Sequence, residues 1–420
     1  MKAALSMADA GKIGVAHLFR TIRVGGGVQR SMSLLLPRLN RARFRPLALV
    51  LEGAPGAPEH ELPGVEIVRC ALGGHWEDWW RRPCAVQALG RELARCRVDL
   101  LHCHQAPEQW IGCLAAAPLR VPVIRTVHRV PDGRFFGLGF RARLLSALTS
   151  AYTSVSPGWS PAFEKELRIR RRQCSYIPNG IDPSELHRPP GTRERVRLEL
   201  GVREDDVLVL GVGRLVPNKD FATMIGAFAL ALPQAPGLRL AIAGEGPEMG
   251  RLRAEIGRLG LDGTARMLGV RPDVPDLLGA SDIFMITSLT ESMSYASAEA
   301  MASSRPVIAS DIPVLRSMLA HGEAGLLVPA GCPEEGARAL VRLAASPVLR
   351  TSLGRQARQV VGEMFPLERM VSRYERLYTA VAGRGTLTAR RVPRGAGGHA
   401  PEMANGELPA MNEGFGEMKR

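Results

Sequence analysis

The chain has 420 residues, of which 45% are hydrophobic and 23% are charged, and its formal net charge is +14. The length excludes a minimal binding module and the composition excludes a broadly disordered chain, so together they indicate two globular domains. Residues 1–190 hold 27 Lys and Arg against 15 Asp and Glu. This excess favours an anionic partner or, alternatively, an arginine-rich solvated surface.

The chain offers no apolar run of the ~18 residues that a transmembrane helix needs. Its first residues, MKAALSMADAGKIG, also lack the apolar core of a signal peptide. We therefore expect a cytoplasmic protein. The seven cysteines form no CxxC pair, so we expect reduced thiols.

Short apolar runs alternate with longer helical patterns in both halves of the chain. Because this alternation is typical of βαβ units and parallel sheets, we predict an α/β protein with two doubly wound domains. The strands predicted in the first half span 13–18, 45–51, 65–69, 100–103, 122–127 and 151–154. Those predicted in the second half span 207–212, 239–243, 265–268, 283–287, 307–309 and 324–328.

The predicted joint between the halves is the segment IPNGIDPSELHRPPG, from Ile177 to Gly191, which combines turn formers and prolines. We therefore assign a first domain to 1–185 and a second domain to 186–365. A C-terminal helix over 366–383 is expected to cross back to the first domain. Residues 384–420 are rich in Gly, Pro and Ala without an apolar period, which predicts a disordered tail.

Three glycines follow the first predicted strand and precede an apolar helix, in the sequence HLFRTIRVGGGVQRSMSLLL. Gly26 and Gly27 let the backbone approach a ligand closely, and the helix start carries roughly +0.5 charge that favours an anion. The spacing is not GxGxxG, so a nicotinamide dinucleotide is disfavoured. A tight turn without a ligand is the alternative.

Two cations stand just past the first strand of the second half, in VLVLGVGRLVPNKD. The Arg214 guanidinium supplies a planar fork of donors and the Lys219 ammonium a point charge, a combination that suits a diphosphate at the carboxyl edge of a sheet. Taken alone, the pair fits surface charge equally well.

The segment LTESMSYASAEAM places Glu291 before a predicted helix and Glu299 eight residues later. At 1.5 Å per residue this separation is about 12 Å along a helix axis, comparable to the reach of a nucleotide diphosphate with its sugar. Ser292 and Ser294 suit the first turn of the helix. The pattern predicts two carboxylates at opposite ends of one ligand, with phosphates between them at the helix start.

Together these segments resemble the retaining glycosyltransferases of family 4, which have the GT-B fold of two facing Rossmann-like domains around a cleft. The resemblance continues through PNGID at 178–182, AGEGP at 243–247, LGVRPDVPDLLGASDIF at 268–284 and GLLVPAG at 325–331. It implies transfer of a sugar from a nucleotide-sugar donor with retention of configuration, without a metal or cofactor. A front-side route, in which the leaving phosphate helps to take the acceptor proton, is the simplest mechanism.

The resemblance also implies roles for individual residues. Arg214 and Lys219 would bind the donor diphosphate, Glu299 the ribose hydroxyls and Glu291 the transferred sugar. Further donor contacts would come from the glycine turn, from the loop that faces the base and from the start of the helix: Gly26, Gly27, Val270, Arg271, Ser292, Met293, Ser294 and Tyr295.

Histidines end two predicted strands of the first half. His128, in VIRTVHRV, stands where many family members carry an active-site histidine near the sugar and phosphate, although a lone histidine is more often structural. His102 and His104, in LLHCHQ, form a pair without an evident third ligand, so no metal site is predicted. His104 is instead expected to face the acceptor.

The acceptor is predicted to be lipid-linked or an envelope polysaccharide, reached by docking on the anionic inner face of the cell membrane. Aromatic residues beside arginines suit a lipid headgroup boundary, and nucleic acid is not expected as a partner. If these aromatics pack in the core instead, the arginines are simply solvated. The residues concerned are Trp76, Trp79, Trp80, Arg81, Arg82, Arg134, Phe135, Phe136, Phe140, Arg141 and Arg143.

Two other readings stay open at this point. One is a sugar-nucleotide epimerase or a phosphorylase of the same two-domain fold. The other is a non-catalytic nucleotide-binding or membrane-scaffolding protein, which transfer or hydrolysis of a nucleotide sugar by the purified protein would exclude.

Overall fold

The computed structural model describes residues 11–22, 26–52, 62–70, 72, 83–128, 139–156 and 174–387. Within them the chain forms two parallel β-sheets with helices between successive strands. This arrangement confirms the predicted pair of Rossmann-like domains. The predicted membrane-docking side chains at 76–82 and 134–143 lie outside the described part of the chain, as does the predicted tail beyond 387.

The first sheet has seven parallel strands in the order β3-β2-β1-β4-β5-β6-β7. The strands are β1 Ile13–Phe19, β2 Phe44–Val50, β3 Glu66–Arg69, β4 Leu100–Cys103, β5 Val123–Val127, β6 Ala151–Ser154 and β7 Cys174–Tyr176. The helices of this part are α1 Gly27–Leu35, α2 Pro83–Arg95, α3 Ala106–Ala116 and α4 Gly139–Leu148.

The second sheet has six parallel strands in the order β10-β9-β8-β11-β12-β13. They are β8 Val207–Val212, β9 Leu238–Ala243, β10 Ala265–Gly269, β11 Ile283–Ile286, β12 Val307–Ser310 and β13 Leu326–Val328. The helices are α5 Thr192–Leu200, α6 Phe221–Ala231, α7 Met249–Arg258, α8 Val274–Ala280, α9 Tyr295–Ala302, α10 Pro313–Met318, α11 Pro333–Ala345, α12 Pro347–Met364 and α13 Leu367–Leu387.

The strand predictions hold because central parallel strands are buried on both faces and therefore read as continuous apolar runs. β4, β6 and β8 have the predicted bounds, and the other predicted strands differ by one or two residues at either end. β7 is not among the predicted strands, because this three-residue edge strand is only partly buried and carries Ser175 and Tyr176 in place of an apolar run.

The linker after β7 is fixed against the start of α13. The Ile181 amide donates to the Phe365 carbonyl at 2.9 Å, and a Cβ on Gly180 would lie 2.6 Å from the Leu367 Cα. Only glycine permits this approach of two backbones, which accounts for glycine in the PNGID segment.

Helix α13 packs on the first sheet although the second domain precedes it in the chain. The Asn40 amide donates to a Glu375 carboxylate oxygen at 2.7 Å, and the Arg373 guanidinium donates to the Tyr176 carbonyl at 3.2 Å. The helix continues to Leu387. Residues 384–387 are therefore helical and do not belong to the predicted tail, although Gly383 and Gly385 disfavour helix.

Among the residues that the structure describes, none of the helices combines the length and the hydropathy required to cross a bilayer.

Candidate active site

The predicted site residues gather at the carboxyl ends of the strands. The turn at Gly26 and Gly27 follows β1, while His104 and His128 follow β4 and β5. In the second sheet, Arg214 and Lys219 follow β8. Both sheets reverse their strand order beside β1 and β8, the point where doubly wound sheets bind ligands.

The glycine turn of the first domain meets the start of α9 in the second. A Cβ built on Gly27 would lie 3.8 Å from Cδ2 of Tyr295, so only a very small side chain fits between α1 and α9. Gly26 is covered by Gln29, whose side-chain amide donates to the Thr21 carbonyl at 3.0 Å. The structure thus brings the predicted turn and the predicted helix start to one place.

An ion pair joins the same two helices. Arg30 Nε of α1 lies 2.8 Å from Glu299 Oε1 of α9, and Arg30 Nη1 lies 2.8 Å from Glu185 Oε2 in the linker. Glu299 is buried, and this burial raises its pKa although the Arg30 charge opposes the shift. The predicted ribose-binding carboxylate is therefore already oriented by an arginine of the opposite domain.

A second pair lies between the loops that follow β8 and β11. Lys219 Nζ contacts Glu291 Oε1, and the Ser288 hydroxyl donates to the same oxygen at 2.8 Å. The two loops are fixed to each other, because the Leu289 amide donates to the Asn218 carbonyl at 2.9 Å. The two side chains predicted to meet the diphosphate and the transferred sugar are thus in contact.

Arg214 is the exposed member of the predicted diphosphate pair. The AGEGP turn packs directly on its loop, since a Cβ on Gly244 would lie 1.8 Å from the Gly213 carbonyl oxygen and one on Gly246 would lie 2.3 Å from that of Leu215. The glycines of this turn therefore hold the backbone on both sides of Arg214 in place.

The remaining donor-side predictions divide into two groups. Ser294 is the N-cap of α9, and its hydroxyl accepts from the Ser297 amide at 3.2 Å, while Ser292 and Met293 lie just before it. Val270 is exposed, but the Arg271 guanidinium is engaged by Glu199 at 2.6 Å and by Asp273 at 2.6 Å. These two carboxylates raise the pKa of Arg271, so it stays charged and tied to its own loop.

Four histidines at the end of the first sheet form a hydrogen-bonded group that we call the histidine network: His17 of β1, His102 of β4, and His104 and His128. His17 Nδ1 lies 3.0 Å from His104 Nε2, and His104 Nδ1 lies 3.2 Å from His128 Nε2. Burial lowers the pKa of His17 and of His128 to about 3. It also lowers the pKa of His102 and of His104 well below the ordinary value, so all four rings are neutral.

His17 is a possible third ligand that is not evident from the sequence. With His102 and His104 it offers ligand atoms that all lie within 4.8 Å of one another, and the absence of a metal site here stays a prediction. Each of these rings also has hydrogen-bond partners for both of its nitrogens. His17 lies inside an apolar strand far along the chain from His104, so the sequence carries no spacing signal that joins them.

Arg30 and Glu185 are the other site residues that are not predicted from the sequence. Arg30 occupies the first turn of α1, three residues after Gly27. A cation this close to a predicted anion site is a feature from which its place in the site could have been predicted. Glu185 lies in the linker turn and contacts both Arg30 and Arg38. Neither contact follows from local pattern, because each joins segments distant in sequence.

Comparison with known proteins assigns a family to both halves. A family model described as Glycosyltransferase Family 4 matches residues 25–185, and one described as Glycosyl transferases group 1 matches residues 192–360. A D-inositol 3-phosphate glycosyltransferase of Kribbella flavida is 34% identical over 370 residues, which cover 79% of this chain and 87% of that protein.

A second protein sequence and one solved structure are also similar to this chain. An exopolysaccharide phosphotransferase of Streptomyces coelicolor is 30% identical over 311 residues, which cover 71% of this chain but 31% of that longer protein. The crystal structure of Anabaena HepE in complex with UDP and glucose shares the fold, with a TM-score of 0.73 at 20% identity over 88% of this chain and 100% of HepE. The chain therefore belongs to the group 1, family 4 glycosyltransferases, enzymes of the GT-B fold that fall in the EC 2.4 class of transferases.

Proposed function

We propose that the enzyme transfers a sugar, with retention of configuration and without a metal ion, from a nucleoside-diphosphate donor to a lipid-linked or cell-envelope glycan. One observation carries the donor part of this proposal. The glycine turn at Gly27 and the pair of Arg30 with Glu299 lie where the two domains meet, and the pair of Lys219 with Glu291 lies just before the same helix, α9.

The cations of this site match the negative diphosphate of the donor, and its carboxylates match the hydroxyls of the ribose and the sugar. Glu299, held by Arg30, accepts hydrogen bonds from the ribose hydroxyls. Lys219 and Arg214 face the diphosphate, and Glu291 receives the hydroxyls of the sugar. Backbone groups from Ser292 to Tyr295 and the turn at Gly26 and Gly27 close around the phosphates, while the loop of Val270 and Arg271 faces the base.

The reaction breaks the bond between the anomeric carbon and the diphosphate oxygen, and forms a bond from that carbon to the acceptor oxygen. Negative charge develops on the leaving diphosphate, where Arg214, Lys219 and the α9 N-terminus stabilise it as fixed positive groups. On the front-side route the acceptor proton passes to the departing phosphate oxygen. His128, next to the transferred sugar, orients its hydroxyls.

Support for a glycan acceptor comes from the exopolysaccharide phosphotransferase that shares 30% identity with this chain. The basic excess of residues 1–190 suits an anionic membrane that carries such an acceptor. The match to the D-inositol 3-phosphate glycosyltransferase favours a second candidate, a small phosphorylated polyol as acceptor.

The donor experiment uses the full-length chain, a panel of nucleotide sugars beginning with UDP-glucose, and detection of released nucleoside diphosphate. Transfer or slow hydrolysis of one donor is expected. An epimerised nucleotide sugar would establish the epimerase reading, phosphorolysis of a glycan with added inorganic phosphate would establish the phosphorylase reading, and binding without turnover would establish a non-catalytic protein. Proton NMR of the product decides retention, because the anomeric coupling constant distinguishes the two configurations.

The acceptor experiment compares envelope lipid extracts with inositol 3-phosphate under the same donor. Sedimentation with neutral and anionic vesicles at low salt tests docking. Stronger binding to anionic vesicles is expected, and replacement of Arg81, Arg82, Arg141 and Arg143 by Ser should weaken it without changing nucleotide affinity. Equal binding to both vesicles, or to neither, would refute electrostatic docking.

A further inference from the structure

The histidine network extends into the C-terminal helix. Tyr378 of α13 places its hydroxyl 2.9 Å from His102 Nδ1 and 3.2 Å from His17 Nε2. His17 then meets His104, and His104 meets His128, through the contacts given above. A continuous hydrogen-bonded path therefore runs from a tyrosine of α13 to the histidine at the end of β5.

On the other side of Tyr378, the hydrogen-bonded path continues through His102 to hydroxyls of β5 and β6. His102 Nε2 lies 2.7 Å from the Thr126 hydroxyl, which in turn lies 2.6 Å from that of Thr153 and 3.3 Å from that of Tyr374. His17, His102, Thr126, Tyr374 and Tyr378 are completely buried. Water therefore does not replace a partner that is lost at these positions.

The protonation of the path is constrained because every ring in it is neutral. A neutral imidazole donates through one nitrogen and accepts through the other, and a hydroxyl has a single proton. Along a chain of such groups every proton meets an acceptor in only two arrangements, with all donors pointing toward His128 or all pointing away from it. The Tyr378 hydroxyl therefore couples the direction at His128 to the direction at His102 and Thr126. Which nitrogen of His128 carries its proton is then decided together with the state of Tyr378.

We propose that Tyr378 and His17, acting through His104, are positioning residues that fix the ring tautomer and orientation of His128. This inference rests on the proposed function, in which His128 contacts the transferred sugar. A fixed tautomer presents either a donor or an acceptor to a sugar hydroxyl in every molecule. A mixture would present the wrong group in part of the population.

The variant Tyr378→Phe tests this with the loss of one hydroxyl. Loss of the Tyr378 hydroxyl uncouples the rings of His17, His104 and His128 from His102 and Thr126, so these three rings reverse their direction independently. We expect kcat to fall about tenfold, the effect of roughly one hydrogen bond, while the donor KM changes less than about twofold. Tyr374→Phe is the matched control, because it makes the same change on the same helix and leaves Thr126 its contact with Thr153.

The tautomer itself is read from the long-range ¹H–¹⁵N spectrum of the full-length chain labelled at histidine, with the His128 signals assigned by their loss in His128→Asn. One neutral tautomer is expected in the native protein and in Tyr374→Phe, and two in Tyr378→Phe. Because this spectrum needs no substrate, it tests the path separately from the proposed function. If Tyr378→Phe fails to fold, His17→Gln interrupts the same path.

Three outcomes would overturn the inference. The first is an unchanged His128 spectrum in Tyr378→Phe, and the second is an equal change in Tyr374→Phe. The third is stoichiometric Zn²⁺ bound by the native chain with loss of the His17, His102 and His104 ring N–H signals, since those rings would then be metal ligands.

Discussion

Acidification from pH 7.5 to 5.5 should destabilise the folded protein through the histidine network. The ordinary histidine pKa of about 6.5 applies to the unfolded chain, whereas the pKa of His17 in the folded protein is about 3 and those of His102 and His104 are also far lowered. Below pH 6.5 the unfolded state therefore binds more protons than the folded state. The free energy of unfolding must then fall as the pH falls.

The magnitude follows from the same values. At a pH one unit below the histidine pKa of the unfolded chain, each imidazole that stays neutral in the folded state lowers the free energy of unfolding by about 1.4 kcal/mol. The rings of His17 and His128, each with a pKa of about 3, together give a loss of about 3 kcal/mol between pH 7.5 and 5.5, and the lowered pKa values of His102 and His104 act in the same direction. This is a large fraction of the ~5–15 kcal/mol by which proteins are normally stable.

Urea unfolding followed by circular dichroism at pH 7.5, 6.5 and 5.5 measures this loss. His17→Gln should reduce the loss by about 1.4 kcal/mol, the share of one imidazole. His187→Gln is the matched control, because His187 is exposed and lies outside the network. The raised pKa values of Glu108 and Glu299 act in the opposite direction, but native and variant share these carboxyls, so their effect cancels in the comparison. An equal pH-dependent loss of stability in native protein and His17→Gln would show that burial of the neutral His17 ring is not a source of this loss.

Three further outcomes are expected. Glu299→Gln should lower kcat/KM about 10- to 100-fold, because a charged hydrogen-bond acceptor is lost, while the melting temperature stays within a few degrees; unchanged turnover would remove the ribose role. Transfer should survive EDTA, and a loss that Mg²⁺ or Mn²⁺ restores would contradict the metal-free mechanism. Gly354→Ala should cost more than about 2 kcal/mol, because its Cβ would lie 2.1 Å from the Ser304 carbonyl oxygen. Gly362→Ala in the same helix has open space and should stabilise by up to ~1 kcal/mol, so equal melting temperatures would contradict this.

The sequence predicts the elements of this fold better than the contacts between them. The central strand β8 is predicted to the residue, because burial leaves the continuous apolar run VLVLGV. Edge strand β7 has no such signal.

The candidate site residues themselves are predictable from the sequence, whereas the residues that orient them are not. Arg214, Lys219, Glu291 and Glu299 stand in recognisable local segments, and in the structure Arg214 and Lys219 follow β8 while Glu291 precedes α9 and Glu299 lies within it. The partners that orient them come from distant parts of the chain: Arg30 for Glu299, and Tyr378 for the histidines. Such pairs depend on how two domains pack, which a local pattern does not encode.

The crossing of α13 back to the first sheet has a consequence for synthesis. Domains usually fold in order as the chain leaves the ribosome, yet here Tyr374 and Tyr378 cover His102 and are made only after the whole second sheet. The nascent first domain therefore waits with its polar strand ends uncovered until the second domain and α13 have been synthesised. A chain that terminates before residue 367 would leave them uncovered permanently.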